Sequence, residues 1–341
     1  MILFRADGNK EIGTGHIMRC LSLADAFISL GEISEFVTAD DNMKNLINAR
    51  GYTCSVLRSD FSDMDTEVDA LLRLDSFKTA KMIIVDSYYA SDDYLYTLSA
   101  HKKTAYINDY LTLRPVAVNI NYNVFADSEK ISNREEGIKS VEIMGPKYAP
   151  LRREFQDLKA IEIKEVAGNI LFLAGGSDPL HVALNFAKEV VKHSDDNHYN
   201  IVVGSLSEDL EAIKDIADKS QGRIEVKHNV SDMKSLMTSS DLAVSAAGST
   251  LYELCACGVP TINYILADNQ RLISESFRDK GVMMSAGDVR DNTFFYNNMY
   301  SMITDLSRDE KKRRELSERA HNLVDGNGAR RLAVELEEII K

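Results

Sequence analysis

Short apolar runs, each followed by a turn and then an amphipathic stretch, recur along almost the whole chain. This alternation limits the fold more than any other feature. ILFRA opens the chain and leads through a loop into a helical pattern over His16–Leu30. EFVTA follows, then a helical segment from Asp41; CSVL, KMIIVDS, TAYIND and AVNINYNV read as further strands, with helices around Val68–Phe77 and Asp92–Ser99. Strands that alternate with helices pair in parallel, because a parallel neighbour is reached only by a crossover, and the crossovers cover both faces of the sheet. The texture changes in MGPKYAPLRREFQDLKAIEIKEVAGN, which is charged, carries two prolines and reads as a linker near residues 145–167. A second series starts at NILFLAGGSDP and continues through IVVGS, IEVKH, LAVSAAG and TINYIL. With 341 residues the chain has room for two ordinary α/β domains. The expected organisation is an N-terminal domain over 1–150, a C-terminal domain over 166–325, and a terminal helix over 326–341 that packs back on the first domain.

Charge narrows the partners. Forty basic against fifty-three acidic residues leave a formal charge of −13 at pH 7. Such a surface repels phosphate backbones and anionic lipid, so neither nucleic acid nor a membrane surface is an expected partner. A small anionic ligand stays open, because a helix N-terminus can bind it whatever the global charge. No basic segment followed by a long apolar run is present, so neither a signal peptide nor membrane insertion is expected. Cys20, Cys54, Cys255 and Cys257 read as free thiols, and the expected location is cytoplasmic. Nothing in the pattern fixes an oligomeric state.

RADGNKEIGTGHIMRC, Arg5–Cys20, is the first stretch with chemical content. Gly13 and Gly15 remove side chains where the backbone turns and can approach a ligand. The helix that starts there presents unpaired N–H groups and the positive end of its dipole. That field disfavours an imidazolium, so His16 is expected to be neutral and able to accept a proton as a general base. Arg5, Asp7 and Arg19 add polar groups around it. A histidine that merely satisfies a backbone carbonyl would have the same local sequence, and a glycine-x-glycine loop alone does not decide between them.

The second half repeats the design twice. In LFLAGGSDP a strand runs into Gly175-Gly176, with Ser177 and Asp178 as N-cap candidates and Pro179 in the first helical turn. In DLAVSAAGSTLYELCACGVPTI a strand ends at Ser245, small residues up to Gly248 turn the chain, and Ser249-Thr250 open a helix, giving a phosphate-sized cradle of N–H and hydroxyl donors. Glu253, one turn in, can accept the two hydroxyls of a ribose or simply complement the helix dipole. Asn269 and Gln270 place two amides just beyond the next strand.

AGST-x-x-E followed by G-x-P-x-I and N-Q resembles the UDP-binding half of GT-B nucleotide-sugar enzymes. R-A-D…I-G-x-G-H-x-x-R-C-L, with G-P-K-Y-A-x-L-R-x-E-F (Gly145–Phe155) and G-G-S-D-P, resembles the UDP-sugar hydrolases of pseudaminic acid biosynthesis over nearly the whole chain. Related sequences are described as spore-coat polysaccharide glycosyltransferase-like. The resemblance implies a GT-B fold, two Rossmann-like parallel-sheet domains facing a cleft. It implies hydrolysis of a UDP-activated 2,4-diacetamido-2,4,6-trideoxyhexose to free sugar and UDP, with a transferase to surface polysaccharide as the alternative. His16 would be the catalytic base. Arg5, Asp7, Gly13, Gly15, Arg19, Tyr88, Asn269 and Gln270 would meet the sugar or diphosphate. Gly176, Ser177, Asn229, Val230, Gly248, Ser249, Thr250 and Glu253 would hold the nucleotide, with Asn229–Val230 at the uracil. The chain departs from the family's Asp-His-Tyr at Asp86-Ser87-Tyr88, which bears on sugar specificity more than on reaction class. The scheme needs no metal or cofactor, and the sequence lacks an Asp-x-Asp at a strand end or a His/Asp cluster with ligand spacing.

Overall fold

The computed structural model describes residues 1–126, 140–176 and 178–341. The chain divides into two compact units, Met1–Arg153 with Gly326–Lys341, and Glu154–Asp325.

The first unit is built on β1 (Ile2–Ala6), β2 (Ser34–Thr38), β3 (Thr53–Val56), β4 (Met82–Asp86), β5 (Lys103–Ile107), β6 (Val118–Asn121) and β7 (Val141–Met144). Its helices are α1 (Gly15–Ser29), α2 (Lys44–Ala49), α3 (Val68–Arg73), α4 (Asp75–Thr79) and α5 (Asp92–His101). The strands form one sheet in the order β3-β2-β1-β4-β5-β6-β7, and every pairing is parallel. ILFRA and MIIVD are buried at every position, as the central strands of a sheet covered on both faces must be. On one face Phe4 stacks on Phe36 at 5.0 Å; on the other, Leu3, Val37, Ile83 and Val85 pack with Leu95 and Leu98 of α5. Two elements differ from the sequence reading. The helix expected around Val68–Phe77 is two helices, because Leu74 turns extended at ψ 137° and packs its side chain on the core. The edge strand β7 was not anticipated, since Val141 is exposed and little apolar patterning marks it.

The second unit contains β8 (Asn169–Leu173), β9 (His198–Val203), β10 (Ile224–His228), β11 (Leu242–Ala246), β12 (Thr261–Ile265) and β13 (Met284–Asp288). These are interleaved with α6 (Val182–Val190), α7 (Leu210–Asp218), α8 (Met233–Thr238), α9 (Thr250–Cys257) and α10 (Arg271–Asp279), and followed by α11 (Phe295–Arg308) and α12 (Glu310–Leu323). The sheet order is β10-β9-β8-β11-β12-β13, again parallel throughout. Phe172 of β8 stacks on Phe186 of α6 at 4.2 Å in the centre of its core. The sequence reading placed the helix start at Pro179; α6 begins at Val182.

The charged stretch around 145–167 is tied down rather than free. Its Pro146–Tyr148 turn packs on α13 (Gly328–Ile340) in the first unit. Its later part is held in the second unit, where Ile161 N–H donates to the Cys257 carbonyl and the buried Arg313 guanidinium donates to the carbonyls of Lys164, Glu165, Leu306 and Ser307. An arginine with this many carbonyl partners is a backbone clamp.

In both sheets the strand order reverses beside the first strand, between β1 and β4 and between β8 and β11. Helices leave such a point in opposite directions and open a crevice at the carboxyl ends of the strands, where ligands of open α/β sheets bind.

Helix α13 packs on α1 within the first unit. Its first residue, Gly328, lies so close to the chain at Tyr148–Ala149 that a β-carbon would fall within 2.6 Å of the Ala149 nitrogen and closer to its oxygen. Both neighbours are backbone and cannot rotate away. Gly328→Ala is therefore expected to loosen α13 at a cost of about 1–3 kcal/mol, the usual range for overpacking. Urea denaturation measures this, and an unchanged midpoint would show that the helix shifts at no cost.

Candidate active site

Loops after β1, β4, β5 and β6 build the polar end of the first sheet. The β1 loop folds on itself, with Asn9 N–H donating to the Gly13 carbonyl and the Asn9 side chain accepting from Glu11 and Ile12 N–H. Gly13 sits at φ +71°, a conformation that a β-carbon would strain. Gly15 has no such requirement and is the first, exposed residue of α1. No side chain caps this helix and no acidic residue occupies its first turn.

His16 is 6% exposed, and its Nδ1 is buried with no hydrogen-bond partner. Its ring meets the Tyr88 ring edge-on at 4.6 Å. Burial pushes the imidazole below its ordinary value; Asp86, Asp109 and Asp7 oppose this, and Arg19 reinforces it. The neutral form is thus favoured, with burial as the main cause rather than the helix start alone. A buried imidazole nitrogen with no partner among the described residues is uncommon in a native core and marks His16 as a candidate for function.

Arg19 lies one turn further along α1, and its donors are engaged within the protein. Its Nε and Nη2 donate to the two oxygens of Asp86, Nη2 and Nη1 donate at 3.1 Å to the two oxygens of Asp109, and Nη1 donates at 2.7 Å to the Tyr122 hydroxyl. A guanidinium has five N–H donors, and all five are taken. Arg19 is the core of a charged network, with no donor left for a ligand. Burial would raise the Asp109 carboxyl, but Arg19 and the Asn123 amide outweigh it and hold Asp109 below the usual range.

Arg5 and Asp7 are engaged within the protein in the same way. Arg5 is fully buried and pairs through Nε and Nη2 with both oxygens of Glu67, and through Nη1 with Asp7. The other Asp7 oxygen accepts the Ala39 N–H at 2.7 Å. The two residues tie the β1 loop to the β2 loop and present nothing to a ligand. Tyr88 remains at the surface, 44% exposed, with Tyr110 edge-on to it at 6.4 Å. Ser87 is buried; its hydroxyl accepts from Tyr89 N–H and its carbonyl from the Tyr106 hydroxyl. The sequence reading had not singled out Asp109, Tyr110, Tyr122 or Asn123, which follow β5 and β6 without any local motif.

In the second unit the nucleotide candidates follow the carboxyl ends of β8, β10, β11 and β12. Two helix starts flank the β8/β11 reversal, and they differ. At α6 the Asp178 carboxylate accepts from Val182 and Ala183 N–H, both at 2.9 Å, so the chain's own anion fills that end. At α9, Ser249 makes no side-chain cap and the N–H groups of Ser249 and Thr250 have no partner among the described residues. A free helix start of this kind is suited to a phosphate. Gly248 precedes it and Glu253 lies half-buried in its first turn. Gly176 is exposed in the β8 loop, while Ser177 lies outside the described residues. Asn229, left-handed at φ +53°, and Val230 follow β10, the edge strand two places from β8. Asn269 and Gln270 form a short turn after β12; the Gln270 carbonyl oxygen accepts the Leu266 N–H, which leaves its NH2 as the group to offer. Among the described residues no group of three or more His, Cys, Asp or Glu is placed to hold a metal ion, and no helix is long and apolar enough to cross a membrane.

Comparisons with known proteins agree with this architecture. The chain is 25% identical over 288 residues to the uncharacterized protein MJ1062 of Methanocaldococcus jannaschii, covering 80% of this chain and 57% of that protein. It is 28% identical over 201 residues to the spore coat polysaccharide biosynthesis protein SpsG of Bacillus subtilis, covering 57% and 58%. It thus spans less than three fifths of the length of these two relatives. It is 25% identical over 256 residues to the UDP-2,4-diacetamido-2,4,6-trideoxy-beta-L-altropyranose hydrolase of Campylobacter jejuni, covering 74% and 86%. The crystal structure of Acinetobacter baumannii MurG superposes with a TM-score of 0.68 at 15% identity, covering 99% of both chains. The fold of this chain is of the GT-B type, and its residues 170–330 match the family model for the glycosyltransferase family 28 C-terminal domain.

Proposed function

We propose that this protein cleaves a UDP-activated sugar by hydrolysis, with His16 as the general base. The observation that carries the reading is the buried His16 itself, at the start of the helix that follows β1, held toward its neutral form and with Nδ1 unpartnered among the described residues. The open α9 start supports a nucleotide diphosphate on the second sheet, with Gly248, Ser249 and Thr250 at phosphate and Glu253 at the ribose. Similarity to the Campylobacter hydrolase supports a 2,4-diacetamido-2,4,6-trideoxyhexose as the sugar, and the motif resemblance given above supports pseudaminic acid biosynthesis as the setting. In the reaction a water oxygen bonds to C1 as the bond from C1 to the phosphate oxygen breaks. His16 takes the water proton, and the departing UDP carries away the bond's electrons. Attack from the face opposite UDP inverts the anomeric centre. Positioned donors and a positioned base supply the rate.

Transfer to a sugar acceptor is the second reading, favoured by the match of residues 170–330 to a glycosyltransferase domain. Incubation with UDP-sugar alone separates the two: steady UDP release without acceptor supports hydrolysis, and release only on adding an acceptor supports transfer.

His16→Asn is expected to fold and bind UDP like wild type while turnover falls by about 10²-fold or more, the low end for loss of a general base. Because burial lowers the His16 pKa, the base is active above that value and lost below it. The acid limb of the wild-type rate–pH profile should therefore lie below about 6.5, the unperturbed histidine value. A folded His16→Asn protein with near wild-type turnover removes His16 from the mechanism.

Glu253→Ala should weaken UDP binding about tenfold, consistent with losing hydrogen bonds to a charged group, and change inorganic diphosphate binding little. Calorimetry with both ligands tests this, and equal loss for the two ligands refutes the ribose contact.

A further inference from the structure

The loops that follow β8 and β9 approach each other more closely than a side chain would allow. Leu173 of β8 pairs with Val202 of β9, and the same parallel register carried two residues on sets Gly175 against Gly204. A β-carbon on Gly204 would fall 2.5 Å from the Gly176 carbonyl carbon and closer still to the carbonyl oxygens of Gly176 and Gly175. All three atoms are backbone and have no rotamer to change. Gly204 does not have a left-handed φ, so its conformation does not ask for glycine; the approach of the two carbonyls does. Leu206 N–H donates to the Gly176 carbonyl at 3.1 Å, and Ser207 N–H closes a turn on the Gly204 carbonyl at 3.1 Å. At the far end of the same two connections, His181 Nδ1 and Asp209 Oδ2 are 2.7 Å apart. Both carbonyls of the glycine pair are thus turned to the β9 loop. In a trans peptide the C=O and the following N–H point opposite ways, so the Gly176 N–H is turned away from that loop. The strand on the other side of β8 is β11, which leads into the open start of α9. The Gly176 N–H has no partner among the described residues. Asp178 already fills the start of α6, so what this loop has to offer an anion is that peptide N–H.

We infer that Gly204 is a positioning residue for the nucleotide: its bare α-carbon lets the β9 loop draw both carbonyls of the glycine pair to itself, which leaves the Gly176 N–H as a donor to the diphosphate at the β8/β11 reversal. This role presupposes UDP on the second unit, as proposed above, and holds whether water or a sugar is the acceptor. Gly204 touches no ligand; it acts by fixing the orientation of one peptide. A peptide turned the other way would present a carbonyl oxygen to the phosphates, so a misplaced loop exchanges an attraction for a repulsion. Donors fixed before the ligand arrives stabilise charge without a reorganisation cost.

Gly204→Ala in the full-length protein should bind UDP and inorganic diphosphate about tenfold more weakly, the effect of losing a hydrogen bond to a charged group, and bind uridine like wild type. Calorimetry reads the three ligands, and a urea transition shows that the variant is folded. Unchanged diphosphate affinity in the folded variant overturns the inference. So does an equal loss for uridine and diphosphate, which marks general damage to the second unit. If Gly204→Ala does not fold, wild-type protein carrying isotope-labelled glycine supplies the test by NMR. The chain has eighteen glycines, and the Gly176 signal is identified by its loss in Gly176→Ala, a substitution with open space around the new β-carbon. That amide signal should shift when inorganic diphosphate is added; a signal that stays in place overturns the inference. A wild-type protein that shows these effects but releases no UDP from a UDP-sugar defeats the hydrolase reading and leaves the role of Gly204 standing. Steady UDP release by Gly204→Ala at the wild-type KM does the reverse.

Discussion

Parallel strands can be joined only by crossovers, and each time their order reverses, a crevice is left at the carboxyl ends that no crossover fills. This protein meets that constraint twice, beside β1 and beside β8. The β1 loop with His16 and the open start of α9 reach their places through it. The β1 loop can hold His16 near Asp86 and Tyr88 because β4 lies directly beside β1, with Ala6 in register with Asp86. Strands β5 and β6 continue the same row and deliver Asp109, Tyr122 and Asn123.

Two arginines show how burial decides what a charge is for. Arg5 and Arg19 lie near the same loop, and each is enclosed by carboxylates. Removing such charges from water is costly, and the cost is met only when nearly every donor and lone pair is engaged. Arg5 engages all three of its nitrogens, with Glu67 and Asp7, and Glu67 in turn accepts the Tyr94 and Ser59 hydroxyls. Arg19 achieves it with Asp86, Asp109 and Tyr122. Neither can turn toward a ligand without leaving a buried carboxylate unpaired. What they provide is a set of ties among the loops that follow the strands of the first sheet.

The second sheet makes the complementary choice between its two helix starts. Asp178 places a carboxylate on the first N–H groups of α6, so that end of the dipole is satisfied from within. Burial raises the Asp178 carboxyl, and the two N–H bonds partly offset that. At α9 the sequence offers only Ala247, Gly248 and Ser249 before Thr250, and no side chain of theirs caps the helix. The difference between a filled and an open helix start is one carboxylate three residues before the N-cap residue His181.

The sequence by itself determined the class of fold and the places where chemistry could occur. Central strands such as MIIVD and LAVSA are almost wholly apolar up to their carboxyl ends because both faces are covered, so they stand out as runs; β7 and β13 lie at sheet edges, escape that demand and left no comparable mark. The loop carrying Gly13 and His16 and the small residues before Thr250 were legible because turns and helix starts select residues locally. Tertiary structure alone decided which polar side chains are available. Arg5, Asp7 and Arg19 read as site residues from their spacing, yet their donors and acceptors are taken by Glu67, the Ala39 N–H, Asp86, Asp109 and Tyr122. Arg19 meets Asp109 across 90 residues of chain and Tyr122 across 103. Local sequence selects turns and periodicity, whereas the order of strands in the sheet sets which distant side chains share a hydrogen bond.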